Sequence, residues 1–284
     1  MVGGLQKIAF QGQPGAYSDL AARAVFPTVA TLPCRVFEDV FAAVTSGQAD
    51  RGLLPIENSV AGRVAEIHQL LPKAGLFIVG EHFQPVSHCL LAPKGASLAT
   101  VAEVHSHPQA LQQCRGFITR QGYRAVAHLD TAGAAAEIAE RNNPKIAAIA
   151  SRLAGDIYGL EVLSERLEDA AHNTTRFLVL STHGETPELD EADPDGFMTS
   201  FMFRLRNVPA ALYKALGGFA TNGVNLTKLE SYLVDGKFTA AQFYTECQGH
   251  CDAPALKRAF EELEFYTHDI KVLGTYRAHR FRNH

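Results

Sequence analysis

A chain of 284 residues, 46% hydrophobic and 20% charged, can bury a substantial core and suggests about two domains rather than disorder. Its 26 basic and 30 acidic residues give a formal net charge of -4 without a polybasic run. That argues against nucleic acid or an anionic membrane as the main partner and leaves a small ligand. The opening MVGGLQKIAFQG has no apolar signal core and no run reaches membrane-spanning length, so a cytoplasmic protein is expected.

From Lys7 to Leu180 short apolar strands alternate with helical stretches. Strands are expected at KIAF, PCRVF, RGLLPI, LFIVGEH, SHCLLAP, AEVHSH, YRAVAHL, KIAAIA and RFLVL, and helices after Ser18, Glu38, Arg63, Pro108, Thr131 and Ser151. Such alternation marks an α/β domain with mostly parallel strands and crossover helices. This many units fit two lobes around a cleft better than one sheet. Residues 182–196, THGETPELDEADPDG, carry six acidic residues, two prolines and no lysine or arginine, and read as a linker that makes two domains separable. Beyond it the pattern resets to strand FMTSFMFRL, helix ALYKALGGFATNG, strands NLTKLESYL and FTAAQFYTEC, helix APALKRAFEELEFYTH and strand DIKVLGTYR. That order, βαββαβ, is a ferredoxin-like module with an antiparallel sheet. Pro209 is placed in a first helical turn and Gly223 at a helix C-terminus. The domains expected are thus 6–181, the linker 182–196, and 197–284.

Four strand ends feed polar residues into helix starts. FQGQPGAYSD, Phe10 to Asp19, could seat an anion on glycine backbone and helix N-terminal amides, or be a tight turn. LPIENSVAG, Leu54 to Gly62, offers Glu57, Asn58 and Ser59 as a helix cap or as one carboxylate among neutral hydrogen-bonding groups. VHSHPQAL, Val104 to Leu111, sets His105 and His107 two apart with Ser106 before Pro108; capping explains it better than metal binding. DTAGAA, Asp130 to Ala135, enters its helix through Thr131. Four such ends together are what a cleft at the carboxyl ends of strands requires. A fifth stretch, NTTRFLVL from Asn173 to Leu180, places Thr175, Phe177 and Val179 on one strand face and Arg176 and Leu178 on the other. Taken alone, Arg176 reads as the partner of an acid such as Asp169. Five scattered cysteines read as reduced thiols. The Cys247, His250, Cys251 set lacks a second cluster to complete a metal site, so no metal is expected.

Read in order, GQPGAYS, PIENSxxG, SHPQALxQC, DTAxAA, NxTRF and NLTKLES resemble prephenate dehydratase with its C-terminal ACT domain, from Ile8 to about Arg282. The resemblance implies a two-lobed α/β catalytic domain like the type 2 periplasmic solute-binding proteins, a ferredoxin-like ACT domain that senses phenylalanine, and subunits paired as a homodimer or homotetramer. It implies conversion of prephenate to phenylpyruvate, water and carbon dioxide without a cofactor. Thr175 would then donate to the leaving hydroxyl, with Glu57 a candidate proton source. Gly15, Tyr17, Asn58, Ser59, Ser106, Gln109, Thr131, Arg176 and Phe177 make up the implied substrate-binding set. Arg176 either grips the carboxylate that survives the reaction or braces the strand end. The implied effector segments are Ala210, Ala211, Leu212, Asn225, Leu226, Glu230 and Ser231. Here Ala210 stands for the family's usual glycine, and Tyr232 and Leu233 for its arginine and proline, so weaker control by phenylalanine is expected. Arogenate dehydratase is the nearest alternative, and a non-catalytic amino-acid or solute sensor the alternative of another class.

Overall fold

The computed structural model describes residues 4–170, 172–193, 195–234 and 237–283. The chain runs β1 (Lys7–Gln11), α1 (Tyr17–Val25), β2 (Ala30–Cys34), α2 (Phe37–Thr45), β3 (Arg51–Asn58), β4 (Gly62–Arg63), α3 (Ala65–Leu70), β5 (Phe77–Pro85), β6 (Cys89–Ala92) and β7 (Glu103–Ser106). It continues through α4 (Pro108–Gln113), α5 (Arg115–Gln121), β8 (Arg124–Ala127), α6 (Thr131–Arg141), β9 (Ile146–Ala150), α7 (Arg152–Tyr158), β10 (Glu161–Ser164) and β11 (Thr174–Ser181). Last come β12 (Phe197–Leu205), α8 (Ala211–Thr221), β13 (Leu226–Val234), β14 (Lys237–Gln248), α9 (Pro254–Glu264) and β15 (Thr267–Arg277). The strand expected at PCRVF lies earlier, because Phe37 already opens α2. Pro33 fits there: β2 is an edge strand, where a missing N–H donor is tolerated. The expected strands omitted β10, an edge strand of the second sheet.

One compact unit comprises residues 1–68 and 82–178. Its strands belong to two sheets. The first is ordered β2-β1-β3-β11-β5, with β4 paired to β3, and the second β10-β6-β9-β7-β8. In the second sheet β9, with the sequence IAAIA, is wholly buried because side-chain clusters cover both faces. That is how a central strand buried on both faces reads in sequence, as a continuous apolar run. Helix starts are fixed locally. The Asp130 carboxylate accepts the Gly133 N–H at 2.5 Å to cap α6, and the Ser151 hydroxyl accepts the Ala154 N–H at 3.1 Å to cap α7.

The other unit comprises residues 69–81 and 179–284. Its sheet, ordered β13-β14-β12-β15 with its three strand pairings antiparallel, is the expected ferredoxin-like arrangement. Phe201, Phe203, Phe219, Leu256 and Leu263 form its buried core. Pro209 lies two residues ahead of α8 rather than in its first turn, since Ala210 at φ 58 interrupts the helical backbone. Gly223, at φ +69, follows the C-cap as expected. Helix α9 stops at Glu264, short of the expected His268, where the Tyr266 N–H and the Thr267 hydroxyl both return to the Leu263 carbonyl.

Segment 69–81 packs inside this unit. A Cβ on Gly274 would run into the Ile78 carbonyl. The Glu81 carboxylate takes two bonds from Arg282, at 2.7 and 2.8 Å, and one from the His279 N–H at 2.9 Å. The acidic stretch is itself tied down, by His250 to the Pro187 carbonyl at 2.8 Å and by Arg277 to Asp190 at 3.4 Å.

Candidate active site

Within the first unit the helix-opening loops enclose a cavity of about 360 Å³. Gln11, Gly12, Ala16, Tyr17 and Ser18 contribute from the β1–α1 connection, and Asn58 and Thr175 from β3 and β11. Val86 and His88 come from the segment between β5 and β6, His107, Gln109, Ala110 and Gln113 from the start and face of α4, and Leu129 to Thr131 from the start of α6. No lysine or arginine is among the lining residues.

A chain of hydrogen bonds crosses the wall. The N–H groups of Val60 and Ala61 donate to Asn58 Oδ1 at 3.0 and 2.9 Å. Asn58 Nδ2 is thereby aimed the other way, donating to Thr175 Oγ1 at 2.9 Å and to Asn173 Oδ1 at 2.8 Å. Asn173 Nδ2 donates to Gln113 Oε1 at 3.1 Å, and that oxygen lies 3.0 Å from His88 Nε2. His88 Nδ1 lies 3.0 Å from the Tyr17 hydroxyl, which also reaches the Ser87 carbonyl at 2.7 Å. Since Thr175 Oγ1 accepts from Asn58, its own hydrogen is left to donate. The Tyr17 phenol is pushed well above its ordinary range, by burial first and then by the nearby Cys89, Glu168 and Cys114. It stays a neutral donor and acceptor.

Of the implied catalytic and substrate-binding residues, Tyr17, Asn58, Gln109, Thr131 and Thr175 line this cavity and the others do not, while His107 and Asp130 line it as well. Arg176 is 3% exposed and stands on the opposite face of β11. It donates to Glu57 Oε1 at 2.9 Å, and its guanidinium lies 5.9 Å from the Phe83 ring centroid. The acid it meets is Glu57, not Asp169, whose carboxylate accepts the Gly116 N–H. Neighbours on two strands thus divide alike, Asn58 with Thr175 on the cavity face and Glu57 with Arg176 behind it. Phe177 is buried. The Ser106 hydroxyl is spent on the Ile149 carbonyl, and Ser59 is spent on the His172 carbonyl and the Thr174 N–H. At Gly15, φ +89, the N–H goes to Asp19 and the carbonyl to Ser151, and a Cβ would lie 2.7 Å from Ala154 Cα. Its glycine serves close packing against α7 rather than an anion seat.

The sequence reading missed His88, Gln113 and Asn173 as a connected set, and treated the His107 region only as a cap. The capping residue is His107 itself, whose Nδ1 accepts the Gln109 N–H at 3.2 Å. His105 is buried and 3.5 Å from Glu103.

In the second unit the expected effector segments do not converge within one chain. Ala210, Ala211 and Leu212 open α8, whereas Asn225 and Leu226 follow its other end, about 16 Å away at 1.5 Å per residue. Leu212 and Leu226 pack against the core. Asn225 donates to Gln248 Oε1 at 2.8 Å, Glu230 lies 3.8 Å from Lys228, and Ser231 is exposed on β13. Among the described residues, those clustered as a metal site would need are His250, Cys251 and Asp252, not Cys247. The Cys247 thiol is pushed up to about 12 by burial and then by Glu246, and points at the Thr199 carbonyl. His250 has both ring nitrogens engaged, by the Pro187 carbonyl and the Asp252 N–H.

Residues 8–185 match the family model for prephenate dehydratase, and the chain belongs to that family. It is an enzyme of the dehydratase (lyase) class. A bifunctional N-acyl-homoserine lactone acylase/prephenate dehydratase of Komagataeibacter europaeus is 52% identical over 275 residues, covering 97% of both chains. Arogenate dehydratase/prephenate dehydratase 1 of Arabidopsis thaliana is 37% identical over 284 residues, covering 95% of this chain and 71% of the relative. A solved structure of prephenate dehydratase from Arthrobacter aurescens in complex with L-Phe aligns with a TM-score of 0.87 at 28% identity, covering 96% of this chain and 90% of the other. Among the described residues no helix is long and apolar enough to cross a membrane.

Proposed function

We propose that this chain converts prephenate to phenylpyruvate, water and carbon dioxide in the making of phenylalanine, under feedback control by L-phenylalanine through the βαββαβ module. The observation that carries the reading is Thr175, held at the cavity wall by the Asn58 amide with its hydrogen free to donate. Loss of carbon dioxide makes the ring aromatic and supplies the drive, so the protein has only to orient the substrate and assist the departing hydroxide. A cavity without lysine or arginine suits this elimination, because a tight ion pair to the carboxylate that leaves would stabilise substrate more than transition state. Arg176 braces β11 against β3 through Glu57. A carboxylate beside a guanidinium is favoured in its charged form, so Glu57 acts as the brace's acceptor, not as a proton source.

One ligand gripped by both effector segments needs two copies of the chain, which fits a homodimer or a homotetramer built from such pairs. The methyl of Ala210 and the loss of an arginine at Tyr232 should weaken phenylalanine about five- to thirtyfold, through a few hydrogen bonds at roughly 1 kcal/mol each. Purified protein with prephenate, with and without phenylalanine, should form phenylpyruvate, and the effector should slow it and bind in a calorimetric titration. Faster turnover of arogenate would move the substrate to the amino acid, as the Arabidopsis relative's name allows. The Komagataeibacter relative, similar along its whole length, favours a second reading as an acylase of N-acyl-homoserine lactones. Release of homoserine lactone and free fatty acid from such a substrate tests it.

A further inference from the structure

The hydrogens around His88 can be counted. Backbone N–H groups fix Asn58, Asn58 fixes Asn173, and Asn173 donates to Gln113 Oε1. Turning over the Gln113 amide would set its NH2 group against that of Asn173. Gln113 therefore meets His88 Nε2 as an acceptor at 3.0 Å, and Nε2 carries a hydrogen. On the other side, 2.7 Å between the Tyr17 and Ser87 oxygens requires the phenolic hydrogen between them. Tyr17 then offers only lone pairs to Nδ1 at 3.0 Å, so Nδ1 needs a hydrogen as well. Three contacts call for three hydrogens, and a neutral imidazole with a phenol has two.

Resting on the dehydratase reading above, we propose that His88 sits at the cavity wall as an imidazolium and that its Nδ1 proton, relayed through the Tyr17 hydroxyl, turns the departing hydroxide into water. The overall balance asks for such a source. Prephenate enters as a dianion and leaves as the phenylpyruvate monoanion, carbon dioxide and water, so each turnover consumes one proton. As the ring C–O bond breaks, its electron pair goes to the oxygen while the pair of the C–carboxylate bond enters the ring. The Tyr17 hydroxyl swings from the Ser87 carbonyl, gives its proton to that oxygen, and takes the Nδ1 proton in return. His88 is left neutral and regains a proton from solvent. Thr175 holds the same oxygen by a hydrogen bond, and a threonine could lend a proton only by recovering it.

The titratable groups set against His88 are Tyr17 from α1 and Glu168 from the segment after β10, which accepts the His88 N–H at 2.9 Å. Burial lowers the imidazole from its ordinary range, opposed by the Gln113 contact and the Glu168 carboxylate. The net direction favours the neutral ring, so the second proton is assigned by the three contacts, which hold it against burial. The charge also gives a cavity without lysine or arginine a counter-ion for a dicarboxylate.

The test has a spectroscopic arm and a kinetic arm, both on the full chain. Long-range 1H–15N spectra near neutral pH should show both His88 nitrogens protonated, with the signal absent from His88→Asn. A neutral single tautomer overturns the proposal whatever the enzyme does. With prephenate, kcat/KM should fall as pH rises through the deprotonation of His88. Tyr17→Phe and His88→Asn should each lose about a hundredfold near neutrality and show no such fall, while Thr175→Val should be slow but keep it. A basic limb that survives in both variants also overturns it. An imidazolium without turnover of either dehydratase substrate would refute the dehydratase reading and the proton step with it, leaving the ring state standing.

Discussion

Around Thr175 the buried polar groups are neutral amides and one imidazole, whereas around Arg282 in the second unit they are two carboxylates, a guanidinium and a phenol. Glu81 receives two bonds from Arg282, and Glu246 receives Tyr244 at 2.5 Å and Arg282 at 3.4 Å. Both carboxylates are almost fully buried. That network joins the chain's end to β5 and β14. The amide chain runs in one direction and ends, at Thr175 and Tyr17, on a cavity. Density of charge marks the structural site here, and an oriented row of amides with an open end marks the chemical one.

Arg282→Ala should give the largest effect. It leaves two buried carboxylates without their guanidinium, which should destabilise the second unit by about 3–5 kcal/mol in urea denaturation. A change below about 1 kcal/mol would mean that water already serves those carboxylates, and the contrast would fail.

At the other network Thr175→Val should lower kcat by about a hundredfold or more, roughly 2.7 kcal/mol, with KM within a few fold and stability hardly altered. Thr174→Val should do much less. Equal losses for the two would show that the open end of the amide chain is not where chemistry happens.

Ala210→Gly should do less again and in the opposite direction. An alanine at φ 58 carries about 1 kcal/mol of left-handed strain, so glycine should raise the unfolding midpoint of the second unit and tighten phenylalanine. An unchanged midpoint would deny that the strain is real.

The smallest effect expected is none. Prolonged chelation should leave turnover untouched, because His250 has spent both nitrogens on backbone groups and the Cys247 thiol is buried and protonated. Activity lost to the chelator and restored by zinc would put a metal in the mechanism.

What the sequence by itself determined is local or repetitive. The alternation of apolar runs and helix starts placed nearly every element, the reset after residue 196 announced βαββαβ, and alternation along β11 put Thr175 and Arg176 on opposite faces, where they are. These follow from periodicities of two and 3.6 residues and from capping chemistry, which neighbours in the chain supply. Tertiary structure decided which donor met which acceptor. Thr175 finds Asn58 across 117 residues, Tyr17 finds His88 across 71, and Glu81 finds Arg282 across 201. No spacing rule links such positions, so Arg176 could be read as Asp169's partner and Ser106 as a ligand group when the fold spends them on Glu57 and the Ile149 carbonyl. Packing alone chose among acceptors that looked equivalent in the sequence, because a buried polar group must bond to whatever the fold brings within about 3 Å.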